Sequence, residues 1–166
     1  MTLSQFLADQ LKGTREWTLK LLADFKGDDW TFQPGPGLAH ALWTCGHLAN
    51  SQHALVFVRC LKKPFLAEEF IQHFPMGKPI AAAGEHPFPS VAEVRQVMDD
   101  VHTRTLAAVR ELSFEFLSMP AYGADGKPHP HYSTVQGAIG HVDRHEAFHA
   151  GQIALIRRLL GRNFLR

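Results

Sequence analysis

Cysteine is scarce in this chain, and its two occurrences are badly placed for a disulfide. Cys45 and Cys60 fall within one predicted helix, where fifteen residues of rise separate them by about 22 Å. A disulfide needs Cα atoms within roughly 7 Å, so the two cannot bridge within that helix. The N-terminus also lacks the basic and then apolar segment of a signal peptide. A reduced, cytoplasmic protein is therefore expected.

The chain also lacks an excess of charge of either sign, and it lacks long hydrophobic runs. Lys and Arg number 17 against 16 Asp and Glu, a formal net charge of +1 with histidine neutral. The chain has neither a basic surplus nor a block of Lys and Arg, so its charge does not indicate a nucleic-acid partner. No apolar run approaches the ~20 residues that span a bilayer. We expect neither nucleic acid nor membrane as a partner, but a small-molecule substrate.

Strand-like alternation is missing, whereas helical spacing of apolar residues recurs four times. Together with the breaks rich in Gly and Pro, this spacing predicts helices over 3–26, 38–62, 90–117 and 133–160. Capping boxes are predicted at Thr2, Ser90 and Ser133, and Gly161 follows the last helix as its C′ residue. The sequence predicts a single domain over 1–166, an all-α four-helix bundle with a long connection, 64–90, between helices two and three.

Histidine, in contrast, is abundant, with 11 residues. His141, His145 and His149 stand four residues apart on the predicted fourth helix. Residues at this spacing lie about 40° apart on one helix face, so two successive imidazoles can reach one metal ion. The ends of the ladder are about 12 Å apart, too far for three bonds of about 2 Å to one ion. The ladder predicts a ligand pair and a third histidine beside it.

The string HEAFH at 145–149 also fits H-E-x-x-H, the helix signature of zinc proteases. Such proteases take a third ligand from further along the chain, but Gln152 and Leu155 occupy the positions of the metzincin Gly and His. No Asp, Glu or His follows His149. A third ligand must come from upstream. His47, inside an apolar stretch of helix two, is the leading candidate, since His53 faces another side of that helix.

Two segments, "WTCGHLANSQHALV" and "IGHVDRHEAFHAGQIALIRRLLG", together resemble the DinB/YfiT-like superfamily of bacterial four-helix bundles. That family pairs a histidine in helix two with H-x-x-x-H-x-G-Q near the C-terminus, and the resemblance covers nearly the whole chain. It implies that His47, His145 and His149 ligate a divalent metal, commonly zinc or nickel, and that His141 does not. It also implies a homodimer. Members include S-transferases that use bacillithiol or mycothiol, isomerases that use mycothiol, and proteins assigned as hydrolases.

Three functions remain open at this point. The leading hypothesis is a metal-dependent enzyme, a transferase or hydrolase that activates water or a low-molecular-weight thiol. The alternative is a non-catalytic metal-binding bundle in a stress or damage response. The third is a hydrolase of the H-E-x-x-H type, with Glu146 as the catalytic base about 100° round the helix from His145. Glu146 can equally be a carboxylate between helices.

Several other residues receive predictions from their local pattern. Cys45 is predicted to be a core residue. Gly151 is predicted to allow close helix approach, and Gln152 to hydrogen-bond within the bundle. His40, near the start of helix two, and the His-Pro-His at 129–131 are candidates for the mouth of a pocket, although histidines in loops are usually solvated. Phe164 and Leu165 are predicted to be exposed apolar residues, compatible with a dimer.

Overall fold

The computed structural model describes residues 1–165, and this part of the chain is helical, without strands. The helices, in chain order, are α1 (Leu3–Leu22), α2 (Ala41–His53), α3 (Glu68–Gln72), α4 (Val91–Arg110), α5 (Phe114–Leu117) and α6 (Val135–Leu159). A 3₁₀ turn spans Gly27–Trp30, and a π-helical segment, Ala54–Cys60, continues α2. The predicted all-α class is confirmed. Within residues 1–165 no helix has the length and apolarity needed to cross a membrane.

Helix boundaries follow the capping residues, with one shift from the prediction. Thr2 and Gln5 form the predicted reciprocal capping box of α1, and Ser90 caps α4 by accepting from the Glu93 N–H. The box predicted at Ser133 is wrong, because the N-cap of α6 is Thr134, which accepts from the Gly137 N–H at 3.2 Å. Gly161 adopts a φ of 71° after α6, the left-handed conformation of a C′ glycine.

Three of the four predicted helices end earlier than the apolar pattern indicates. The first ends at Leu22 instead of 26, and the third divides because Ser113 caps a separate short helix. The second changes after His53 into a π-helical segment, with the Leu61 N–H donating to the carbonyl of Val56. The wider turn rotates the residues that follow it relative to a continuous α-helix.

The four long helices pack against one another, chiefly α1 with α6 and α2 with α4. Two apolar clusters fill the space between them, one around Leu48, Met98 and Ile153 and the other around Leu11 and Ile139. The long connection over 64–90 contains α3 and is anchored by Phe74, whose ring is fully buried. This packing places the middle of α2 beside the middle of α6.

We expect Gly46→Ala to lower the free energy of unfolding by about 1–3 kcal/mol, as overpacked core positions do. A Cβ on Gly46 would lie 2.1 Å from the buried Phe74 ring. Alanine gains about 1 kcal/mol of helix propensity over glycine, which the clash outweighs. Gly13→Ala on α1 is the matched control, since nothing lies within 4 Å of its added Cβ. Urea unfolding that finds both variants stabilised would contradict this packing.

Candidate metal centre

Three imidazoles from two helices converge at one point. His47 lies on α2, and His145 and His149 lie one turn apart on α6. The Nε2 atom of His145 is 3.1 Å from Nε2 of His47 and 3.2 Å from Nε2 of His149. A ligand nitrogen from each of the three lies within 4.8 Å of the other two. The residues predicted as a ligand set are therefore brought together.

Neighbouring side chains fix two of these rings. Trp43, one turn before His47 on α2, stacks on its imidazole with ring centres 4.6 Å apart and planes at 9°. Gln152 lies one turn after His149, and its Oε1 is 2.7 Å from the His149 Nδ1. A proton on that Nδ1 donates to the amide oxygen and leaves the lone pair of Nε2 directed at the other two histidines. Gln152 thus orients His149, a sharper role than the hydrogen bond predicted for it.

Burial keeps the three imidazoles neutral. Burial, with a smaller contribution from the nearby His149 ring, lowers the pKa of His47 to about 3 and that of His145 to about 4. Burial also lowers the pKa of His149, although Gln152 and Glu146 act in the opposite direction. A neutral imidazole is the form that ligates a metal, so no proton has to be removed from the site near pH 7.

The donor set fits a divalent ion of the zinc type. Bonds of about 2.0–2.1 Å in tetrahedral geometry place ligand nitrogens roughly 3.3–3.4 Å apart, close to the separations found here. Three imidazoles suit zinc, nickel and copper better than calcium or magnesium, which prefer oxygen. Three protein ligands also leave coordination positions for a substrate. The group formed by His47, His145 and His149 could therefore hold a metal ion.

Glu146 takes part in a buried polar network centred on Arg15. It is 2% exposed, and its two carboxylate oxygens accept from Nε and Nη2 of Arg15 on α1 at 2.6 and 3.0 Å. The Arg15 guanidinium also donates to the Gln52 side chain and the Met98 carbonyl, and Gln52 contacts His102. The network therefore joins all four long helices. The catalytic role predicted for Glu146 gains no support from this placement.

His141, the first member of the ladder, faces a different group of rings. Its imidazole stacks on the His131 ring, with ring centres 5.2 Å apart. The centre of the His129 ring lies 5.8 Å from that of His141. His129 and His131 line hollows beside His145, so the pocket-mouth prediction for 129–131 agrees with the structure. His40 does not, because it is fully buried and its Nδ1 caps α2 by accepting from the Trp43 N–H.

The remaining predictions have mixed outcomes. Cys45 is fully buried as predicted, and burial raises the pKa of its thiol to about 12. Gly151 does not serve close helix approach, since nothing lies within 4 Å of an added Cβ. Phe164 is exposed, but Leu165 packs against the core.

Sequence reasoning missed Arg15 and its buried network. A signal existed, because Arg15 shares the spacing of Leu11, Thr18 and Leu22 on the apolar face of α1. A charged residue on such a face needs a buried partner. The Gln52 and His102 ends of the network carry no comparable pattern.

Comparison with known proteins places the chain in a family and supports its fold. Residues 10–153 match the DinB superfamily. The chain is also similar to a solved structure of a conserved protein from Enterococcus faecalis, with 18% identity, a TM-score of 0.65, and coverage of 98% of this chain and 99% of that one. At this identity the similarity concerns the fold alone. No curated protein matches the chain.

Proposed function

Because the chain belongs to the DinB superfamily, we propose that it is a metal-dependent enzyme of the four-helix-bundle type. In this proposal His47, His145 and His149 hold one zinc or nickel ion, and a small-molecule substrate reacts beside it. The observation that carries the proposal is the convergence of three neutral imidazoles, with the Nε2 atoms of His47 and His149 both within hydrogen-bond distance of the His145 Nε2.

The chemistry follows from what such a site offers. A divalent ion on three neutral imidazoles lowers the pKa of a coordinated water or thiol, which makes either nucleophilic near neutral pH. Trp43 and Gln152 hold two of the rings in place, and Gln152 accepts the Nδ1 proton of His149. His145 lines two hollows at the surface, so a substrate can reach this side of the site. A transferase or hydrolase reaction that uses water or a low-molecular-weight thiol is the function these features favour.

Glu146 has no catalytic role in this proposal. A general base must lie within hydrogen-bond reach of the proton it removes, and both oxygens of this carboxylate are bonded to Arg15 in the core. We assign Glu146 to fixing the position of α6 against α1. The hydrolase that uses H-E-x-x-H chemistry is accordingly the least favoured of the three hypotheses.

We also propose a cytoplasmic homodimer. Both cysteines are free thiols, as a reducing compartment maintains them. Leu155 and Leu159 lie on the outer face of α6, 47% and 54% exposed, and Phe164 beyond it is 70% exposed. Exposed apolar residues clustered at one helix end are typical of a contact between subunits.

Cobalt substitution tests the open coordination position. We expect the cobalt-loaded protein to develop the charge-transfer absorption of a sulfur-ligated ion when 2-mercaptoethanol is added, because three protein ligands leave room for a thiol. Glu146→Gln should behave in the same way if it folds, and His145→Ala should bind too little cobalt to respond. A cobalt spectrum unchanged by thiol and by azide would indicate a saturated site and favour the non-catalytic alternative.

A further inference from the structure

A small cavity adjoins the candidate metal centre. Its volume is about 180 Å³. The lining residues are Ser51, Ala54, Leu55, Arg59, Met76, His129, His141 and His145. Two of them touch the centre itself, since His145 belongs to it and the Ser51 Oγ lies 3.4 Å from the His47 Nε2. A molecule in this cavity is therefore next to the three converging nitrogens.

Arg59 reaches this cavity from the π-helical segment that continues α2. Its Nη1 donates to the Tyr132 hydroxyl oxygen at 2.9 Å, and that hydroxyl in turn donates to the Tyr122 carbonyl at 3.4 Å. Arg59 has no carboxylate partner within residues 1–165, although most of its side chain is shielded from solvent. Arginine in such a position is normally paired. The guanidinium is thus positioned by a neutral group and left with unmatched positive charge.

A second arginine, Arg144, lies close enough to act on His141, as Arg59 does. Arg144 has no carboxylate partner in the described chain either, and it lines the adjoining hollow with His131 and His145. Two acidic residues lie nearby, Asp125 and Asp143, but neither lines the cavity, and Asp143 accepts from the Thr14 hydroxyl. With its histidines neutral, the cavity wall carries the positive charge of Arg59 and no carboxylate.

We propose that this cavity binds the anionic group of a small substrate, a carboxylate or a phosphate, through Arg59. A planar guanidinium forms paired hydrogen bonds with either group, and partial burial strengthens them. The inference has two parts. The placing of the reacting end of the substrate beside His145 rests on the proposed function, whereas the binding of an anion by Arg59 is independent of it. The substrate class is then a small acid, and Arg59 is its specificity-determining residue.

Calorimetric titration with two probes of similar size tests this inference. Succinate carries two carboxylates, and succinamide replaces both with neutral amides. With the protein as purified and its metal content measured, we expect succinate to bind at least about tenfold more tightly than succinamide, as a charge-assisted pair implies. Arg59→Gln should remove this preference, and Arg59→Lys should restore part of it. Arg158→Gln, at an exposed position near the end of α6, is the matched control and should change nothing.

The outcomes separate this inference from the proposed function. Equal affinity for the two probes, or a succinate preference that persists in Arg59→Gln, would overturn it, the latter because the anion then binds elsewhere. Arg144→Gln alters an exposed side chain, and a partial loss of preference there supports the inference even where Arg59→Gln fails to fold. The succinate titration needs no thiol and no reaction. The titration can therefore support anion binding when the cobalt experiment contradicts the proposed function, and the cobalt experiment can support the proposed function when the titration contradicts anion binding.

Discussion

The wild-type protein is expected to carry about one divalent ion per chain, and His47→Ala less than a tenth of that, because two imidazoles alone hold a metal weakly. His145→Ala and His149→Ala should lose the ion to the same extent. The reason is geometric, since a ligand nitrogen of each histidine lies within 4.8 Å of the other two, so each is positioned to bind the same ion. Elemental analysis of protein dialysed against metal-free buffer measures the content directly.

Two further histidines serve as controls for this experiment. His141→Ala removes the ladder residue whose ring faces His131 and His129, and its metal content should equal that of the wild type. His53→Ala removes a buried histidine of α2 that accepts from the Phe65 and Leu66 N–H groups, and any loss there should be of stability and not of metal. Retention of the ion by His47→Ala, or its loss in His141→Ala, would show that the ligand set has been misassigned.

The three-histidine cluster was predictable because helical spacing alone fixes part of its geometry. His145 and His149 share a face of any α-helix, whatever the fold around it. The third ligand needed more than local spacing, and it came from the absence of acidic residues and histidine after His149. Trp43 and Ser51 stand one turn either side of His47 on α2, so the stacking of Trp43 on the His47 ring is a contact that helical spacing already allows. The approach of His47 to α6, in contrast, is a product of the packing.

Arg59 shows why the surroundings of the site were harder to predict. The sequence over 38–62 reads as one uninterrupted helix, and the π-helical segment over Ala54–Cys60 changes the direction of every side chain within it. The loop over 122–132 brings Tyr132 and His129 to the same place from a distant part of the chain. A change of helix type and a long-range loop contact leave no periodic signal.

Glu146 illustrates the limit of a motif read without its fold. In H-E-x-x-H the residue after the first ligand sits about 100° round the helix, and what it meets there depends on the neighbouring helix. Here the neighbour is α1, which places Arg15 against it. The same five-residue pattern therefore carries a carboxylate that is buried in an ion pair with Arg15. The ligand spacing is intrinsic to the helix, whereas the role of the intervening carboxylate is not.

Arg15→Met is expected to lower the free energy of unfolding by about 3–5 kcal/mol, the cost of leaving the partner of a buried ion pair uncompensated. Glu146 would keep its carboxylate in the core without a counter-charge, and Gln52 would lose a donor. Glu146→Leu should cost a similar amount. The double variant should be more stable than either single one, because it leaves no lone charge in the core. Urea unfolding followed by circular dichroism gives all three values and the coupling energy.

The surface pair Lys12 and Glu16 supplies the control for this cycle. Its side chains are 57% and 66% exposed on the same helix as Arg15, so Lys12→Met should change stability by less than about 0.5 kcal/mol. A small effect of Arg15→Met, comparable to that of Lys12→Met, would mean that the carboxylate is not confined by the guanidinium. Glu146 would then be free to approach His145 and His149, and the hydrolase hypothesis would regain its catalytic base. A large effect, together with a normal metal content in the folded Glu146→Gln variant, assigns this carboxylate to holding α6 against α1.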